Sequence, residues 1–170
     1  MRPILLLLLL SMMPTASAQE VVYHIKASYI YNFLQFVQLP NSTSSGKVNV
    51  CIVGENKFGQ ALDALEGAET PQGKIAIKMF DKVTEPMQIN LCQVLYVVGS
   101  DVIFSQKLLD KINTKNILSI GEFPDFIDMG GYIELFLEND SIRFRVNQKL
   151  VGHTQFKVAA QLLSLGVSGR

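Results

Sequence analysis

Apolar residues recur at helical spacing over residues 21–39 and cover most of the circumference of the predicted helix. A domain's own core usually contacts an apolar stripe about 100° wide on a helix, and the apolar surface of this predicted helix is wider than that. The helix is therefore either packed inside the domain on two sides or presents part of its surface to another chain. On the second interpretation, the predicted partner-binding residues are Tyr29, Ile30, Phe33 and Leu34.

Short apolar runs follow this helix and predict strands, the first of which is expected to be buried on both faces. They occupy residues 48–53, 75–80, 94–98 and 117–120. Helical spacing is found between these runs, at residues 58–65 and 104–112. The alternation predicts a single α/β domain with a mixed, mostly parallel sheet flanked by helices.

The pattern changes near the C-terminus, where apolar and polar residues alternate over residues 132–138 and 142–146. The pair Asn139-Asp140 between them is typical of a two-residue loop, so we expect an antiparallel hairpin to be added to the sheet. The predicted cross-strand pairs are Glu138 with Ser141, Phe136 with Arg143 and Glu134 with Arg145. Residues 149–165 are predicted to be helical, with an interruption near Gly152.

The first residues have the organisation of a signal peptide. Arg2 precedes an apolar run over residues 4–10, and Pro14 closes it. The alternative is a membrane anchor, but the run is far shorter than the ~20 residues that cross a bilayer. We therefore expect export to the periplasm without direct insertion into the membrane.

A cleavage site follows this run. Residues 16–18 have the small-x-small pattern that a signal peptidase accepts, so cleavage is expected between Ala18 and Gln19. The signal peptide is then residues 1–18, and residues 19–170 form one periplasmic domain. About 150 residues is the usual size of a single domain with a substantial core.

The charge of the exported chain is close to zero. Removal of the signal peptide leaves 14 basic against 15 acidic residues, and neither sign forms a long run. Nucleic acids and anionic membrane surfaces recruit clustered Lys and Arg. Both are therefore excluded as expected partners.

Cys51 and Cys92 are the two cysteines, and they allow one intramolecular pairing. In an oxidising compartment a disulfide is the default expectation. Two buried free thiols or a reactive pair are the alternatives. A redox or metal pair usually has its sulfurs close in sequence, and these are far apart.

Catalytic chemistry is not apparent in the sequence. An enzyme should show a nucleophile with a base, a carboxylate pair in a pocket or a metal cluster. His24 and His153 each stand alone among predicted helical residues. Glu122, Asp125 and Asp128 do not follow the alternating carboxylates of a Ca²⁺ loop, so this segment is interpreted as a solvated turn. We predict no metal, no cofactor and no enzymatic activity.

Two features could instead hold a small ligand. The loop at residues 54–59 follows a strand and opens a helix, where phosphates bind in doubly wound folds. It lacks the glycine spacing of the nucleotide-binding motifs, which favours a simple strand-to-helix turn. Arg143 and Arg145 share a strand face and could grip an anion together, or they could pair with Glu134 across the hairpin. The predicted ligand-binding residues are Phe58, Arg143 and Arg145.

Four stretches of the sequence form a recognisable set when they are taken in order. They are residues 25–33 with Phe36, Val37 and Pro40; 50–54 with Phe58 and Gly59; 117–121 with Phe126, Gly130 and Gly131; and 142–144 with Val146 and Asn147. Together they resemble the YfiR family of periplasmic regulatory proteins. The sequence departs from the family pattern at Leu39, Gln155, Ala159 and Ala160, and it lacks a second cysteine pair seen in some relatives.

The resemblance implies a periplasmic inhibitor of a membrane-bound diguanylate cyclase, whose loss raises cyclic di-GMP and promotes biofilm. It also implies a homodimer and a stabilising disulfide, since Cys51 and Cys92 match the family's cysteine positions. Two hypotheses follow. The chain is a protein-binding regulator, or it is a periplasmic sensor that binds a small molecule near Gly54, Phe58 and the hairpin arginines.

Overall fold

The computed structural model describes residues 18–40, 46–81, 89–99, 108–110, 112 and 115–167. The predicted signal peptide, apart from Ala18, and most of the predicted helix at 104–112 lie outside the described residues.

The described elements form a main mixed sheet of seven strands, with helices packed on it, and a second sheet of two strands. The first helix, α1, is Ala18–Phe36, followed by the short strand β1 (Val37–Gln38). The strands of the main sheet are β2 (Lys47–Val53), β3 (Glu69–Thr70), β4 (Gly73–Phe80), β5 (Val94–Val97), β6 (Leu118–Gly121), β7 (Ile133–Glu138) and β8 (Ser141–Val146). Last come β9 (Lys157–Val158) and α2 (Ala160–Leu165).

Five strands of the main sheet run parallel, in the spatial order β4-β2-β5-β6-β7. Among these five the chain order is 2-1-3-4-5, the arrangement of flavodoxin-like doubly wound folds. The antiparallel strands β3 and β8 complete the two ends. The predicted mixed, mostly parallel sheet is therefore confirmed.

Each face of the sheet has its own hydrophobic cluster, as the alternation of side chains along a strand requires. In β2, Val50 and Ile52 lie in the cluster that contains α1, whereas Cys51 and Val53 lie in the cluster on the opposite face. Both faces are covered, which explains why these strands read as continuous apolar runs rather than as alternating ones.

The predicted hairpin is confirmed, including its register. β7 and β8 pair Glu138 with Ser141, Phe136 with Arg143 and Glu134 with Arg145. Asn139 and Asp140 both have positive φ angles, of 48° and 58°, as a type I′ turn requires.

The prediction of a helix over residues 149–165, interrupted near Gly152, is wrong in its first half. Residues 148–153 form turns, Gly152 has a φ of 86°, and the helix begins only at Ala160. Val158 instead pairs with Val37 in the two-stranded sheet of β1 and β9. This pairing between the two ends of the domain overrides the local helical spacing.

The segment predicted as a helix at 58–65 is a 3-10 helix, Gly59–Leu62, continued by turns to Gly67. Across the described part of the chain, no helix combines the length and apolarity needed to span a membrane.

Candidate functional site

Cys51 and Cys92 form a disulfide with a Cα–Cα distance of 5.8 Å. Cys51 is on β2, and Cys92 lies just before the neighbouring strand β5. Both are buried in the cluster on the face opposite α1. The predicted pairing is thus present, and it cross-links the centre of the sheet.

Three of the four predicted partner-binding residues lie in the domain's own core. Ile30, Phe33 and Leu34 are 0% exposed, packed between α1 and the sheet. The structure therefore corrects their assignment, because a fully buried side chain cannot contact a partner while the domain stays folded. The wide apolar surface of α1 is explained by packing on several elements, the 3-10 helix, β8 and α2 among them.

Tyr29 is only partly buried, and it has an intramolecular role. Its hydroxyl donates a hydrogen bond to the backbone oxygen of Ile142 at 2.9 Å, and the amide of Val167 donates to Phe144 O at 2.9 Å. Both acceptors belong to β8, the last strand of the sheet. These bonds cover backbone groups that an edge strand would otherwise leave open.

The predicted ligand-binding residues do not meet. Phe58 is 2% exposed and lies in the cluster on the α1 face of the sheet. Ile142 and Phe144 of β8 belong to that same cluster. Because side chains alternate along a strand, Arg143 and Arg145 point to the opposite face of the sheet. The proposed pocket of Phe58 with the two arginines is therefore wrong, because the sheet separates them.

Arg145 pairs across the hairpin with Glu134, the alternative that the sequence left open. Its guanidinium also lies 4.7 Å from the centre of the Phe136 ring. Glu134 is 1% exposed, and its second oxygen accepts a hydrogen bond from the amide of Ile127. The pair therefore holds the loop between β6 and β7 against the sheet, while Arg143 stays exposed.

The same loop is held by a tight aromatic contact. Phe126 is fully buried between Gly121 and Gly131, and a Cβ atom on either glycine would lie 2.4 Å or less from its ring. Only glycine fits at these two positions. The loop therefore leaves β6 along a fixed path, with Glu122 as its first residue.

Glu122 is the centre of a polar cluster that joins α1 to the sheet. It accepts hydrogen bonds from the hydroxyl of Tyr23 at 2.8 Å, from Nζ of Lys26 at 2.7 Å and from the hydroxyl of Tyr96 at 2.7 Å. We define these four residues as the Glu122 cluster. The expectation of a solvated turn is wrong for Glu122, whose side chain is 7% exposed, although Asp125 and Asp128 are exposed.

The two tyrosines of this cluster are packed around Phe58 and shielded from water. Phe58 contacts the rings of Tyr23 and Tyr96 edge-on, at 4.9 and 5.0 Å between centres. Burial, and then the charge and hydrogen bond of Glu122, raise the pKa of Tyr96 well above its usual range. Burial and Glu122 likewise raise the pKa of Tyr23. Both phenols therefore stay protonated and remain donors to the carboxylate.

The cluster lies where doubly wound folds usually bind ligands, at the carboxyl ends of the parallel strands. Gly54 follows β2 there and approaches the residue after β5 so closely that a Cβ atom would lie 2.5 Å from Val98 O. Both oxygens of Glu122 already accept hydrogen bonds from the chain itself. The cluster therefore holds α1 on the sheet. It could not be predicted from the sequence, because its members are far apart along the chain.

A separate groove lies on the outer side of α1, with a volume of about 560 Å³. It is formed by His24, Ala27, Ser28, Tyr31, Asn32, Ala61, Ala64, Leu65 and Ala68. We call this the α1 groove. Within the described residues, no group of three His, Cys, Asp or Glu side chains is placed to hold a metal ion.

The sequence profile of the YfiR/HmsC-like family matches residues 23–167. A similar solved structure is a conserved domain protein from Vibrio cholerae O1 biovar El Tor strain N16961, with a TM-score of 0.58 at 10% identity. The match covers 87% of this chain and 60% of that one, so the present chain spans little more than half of its length. At this identity the likeness shows the fold alone. A search of curated protein sequences finds no match.

Proposed function

Because the chain belongs to the YfiR/HmsC-like family, we propose that it is a non-enzymatic periplasmic regulator of cyclic di-GMP signalling. It binds the periplasmic part of a membrane-bound diguanylate cyclase, or of a similar signalling protein, and inhibits it. The family match over residues 23–167 is the observation that carries this proposal.

The proposed location is the periplasm, reached through cleavage of residues 1–18. The apolar run and the small residues before Gln19 support this, since they have the pattern of a signal peptide. The disulfide supports it as well, because such bonds persist in oxidising compartments and are rare in the cytosol. Residues 19–170 are then the mature protein.

The chain's own contacts support a binding role rather than a catalytic one. Glu122 and Glu134, the two most buried carboxylates among the described residues, are each engaged by donors of the chain itself. They hold α1 and the β6–β7 loop on the sheet, and a rigid surface of this kind favours association with another protein. We further propose that the mature protein is a homodimer.

Affinity capture tests the proposed partner. Residues 1–170 with a C-terminal tag are expressed in the native host, membranes are cross-linked and solubilised, and the captured proteins are identified by mass spectrometry. We expect enrichment of an inner-membrane protein that has a periplasmic segment and a cytosolic diguanylate cyclase domain. Capture of envelope proteins with no connection to nucleotide signalling would contradict the proposal.

A further inference from the structure

The α1 groove has an apolar floor made of alanine side chains and one leucine. Ala61 and Leu65 are buried at its base, and Ala64 and Ala68 lie beside them. Ala27 faces them from α1. Alanine on both walls keeps the groove open, because longer side chains would fill it from either side.

Exposed apolar side chains extend the rim of the α1 groove. At 100° per residue, Val21 falls between Ser28 and Asn32 around the helix axis, and Ile25 lies just beyond Asn32. Val21 is 50% exposed and Ile25 is 42% exposed. Val21 and Ile25 therefore add exposed apolar surface to the outer face of α1, which also carries the polar side chains of His24, Ser28 and Asn32.

Acidic residues lie close in sequence to the groove lining. Ala61, Ala64, Leu65 and Ala68 form one wall, and the segment that carries them, residues 59–72, contains the exposed Asp63, Glu66 and Glu69 but no Lys or Arg. Glu66 accepts a hydrogen bond from the amide of Ile77 at 2.7 Å, so Asp63 is the acid next to the lining whose carboxylate has no hydrogen-bond or ion-pair partner among the described residues. The other wall, residues 18–40, contains one Lys or Arg, Lys26, which is paired with Glu122. Lys74 contacts Glu69 at 3.4 Å, but both side chains are more than half exposed, so this pair is weak.

We propose that the α1 groove is the docking site for a basic amphipathic helix of the signalling partner. Its apolar side would cover Val21, Ile25 and the alanines, as in helix-in-groove recognition, and its Lys or Arg side chains would face Asp63 and the neighbouring acids. Anionic lipid surfaces are disfavoured by the same charge. The inference rests on the proposed function, because it assigns that function's partner a surface and a chemistry.

A synthetic peptide provides a probe that needs no cyclase. It is a helix of about 18 residues with Leu and Ala along one side and Lys elsewhere, and a matched peptide carries Glu in place of Lys. Fluorescence anisotropy with residues 19–170 should show binding of the Lys peptide and little binding of the Glu peptide. Binding should weaken with salt, as expected for charge complementarity.

Two substitutions at exposed positions test the site independently. Ser28→Trp fills the groove, and Asp63→Lys reverses the charge of its rim. Each should weaken binding of the Lys peptide roughly tenfold, as expected when a central contact or a complementary charge is lost. Matched controls on the hairpin, Ser141→Trp and Glu138→Lys, should leave binding unchanged.

Binding that is unaffected by both groove substitutions, or equal for the two peptides, would overturn the inference. A dimer of residues 19–170 that dissociates on Ser28→Trp in sedimentation experiments would also overturn it, by showing that a second copy occupies the groove. The peptide titration contains no cyclase, so its failure leaves the proposed function standing. Failure of the proposed function would appear instead as cyclic di-GMP levels that do not respond to the protein.

Discussion

Nζ of Lys26 lies 2.7 Å from Oε2 of Glu122, and the two side chains are only 12% and 7% exposed. Lys26 belongs to α1, the first element of the domain, and Glu122 follows β6 in the middle of the sheet. The pair therefore fixes the N-terminal half of α1 on the sheet. Its loss should destabilise the whole domain.

Glu122→Gln should lower the free energy of unfolding by about 3 kcal/mol, because it leaves the Lys26 ammonium group nearly buried without a countercharge. For a domain of this size the melting temperature should fall by roughly 6 to 12 °C. Asp125→Asn is the matched control in the same loop. Asp125 is exposed, so its change should stay within about 0.5 kcal/mol. Equal melting temperatures for the two variants would refute the role of the cluster.

Alkaline pH should weaken the fold through Tyr96. Its pKa is raised in the native state, so above the ordinary tyrosine pKa of about 10 the unfolded chain loses a proton that the folded chain keeps. The unfolded state then binds fewer protons, and the free energy of unfolding falls by about 1.4 kcal/mol per pH unit for this group. Below that pH the contribution is constant.

Tyr96→Phe removes this titration and provides the comparison. Urea unfolding of both proteins between about pH 9 and pH 11.5 should show a steeper loss of stability for the wild type. Parallel curves for wild type and variant would contradict the raised pKa.

The same substitution at two isoleucines of α1 should distinguish its buried side from its exposed side. Ile30→Asp should unfold the domain, because a buried unpaired carboxylate costs several kcal/mol and Ile30 is 0% exposed. Ile25→Asp should remain folded, since Ile25 is 42% exposed. Circular dichroism spectra and thermal transitions of the two variants make the comparison. A folded Ile30→Asp variant would return this residue to the list of candidate contact residues.

The disulfide should contribute a large share of the stability. Cys51 and Cys92 are 41 residues apart, and the loop-entropy model gives about 4 kcal/mol for a bridge that closes a loop of this length. The double variant Cys51→Ser, Cys92→Ser should therefore unfold at a clearly lower urea concentration. A midpoint unchanged from that of the oxidised wild type would show that the bridge adds little.

The strands and the hairpin could be predicted from the sequence because their signals are local. Alternation over residues 132–146 determines the pairing of Glu134 with Arg145, and a shift by one residue would expose the apolar side. The Glu122 cluster could not be predicted, because Tyr23 and Lys26 are 99 and 96 residues away from Glu122. The pairing of Val37 with Val158 was missed for the same reason.

The α1 surface shows a second limit of sequence reasoning. Helical spacing identified its apolar residues correctly but could not tell which neighbours cover them. In the structure Ile30, Phe33 and Leu34 are covered by the domain, while Val21 and Ile25, which drew no attention as contact residues, are exposed. Coverage depends on elements such as β8 and α2, whose positions follow from the whole fold.

The central claim is that this protein restrains a diguanylate cyclase from the periplasm. The most direct measurement is intracellular cyclic di-GMP, quantified by mass spectrometry in the native host, in a deletion strain, and in deletion strains that express residues 1–170 or residues 19–170 with an added initiating methionine. Deletion should raise cyclic di-GMP, and the full chain should restore the wild-type level. The version without residues 1–18 should not restore it, because it stays in the cytosol. Cyclic di-GMP that is unchanged by deletion, or restored equally by the cytosolic version, would contradict the account.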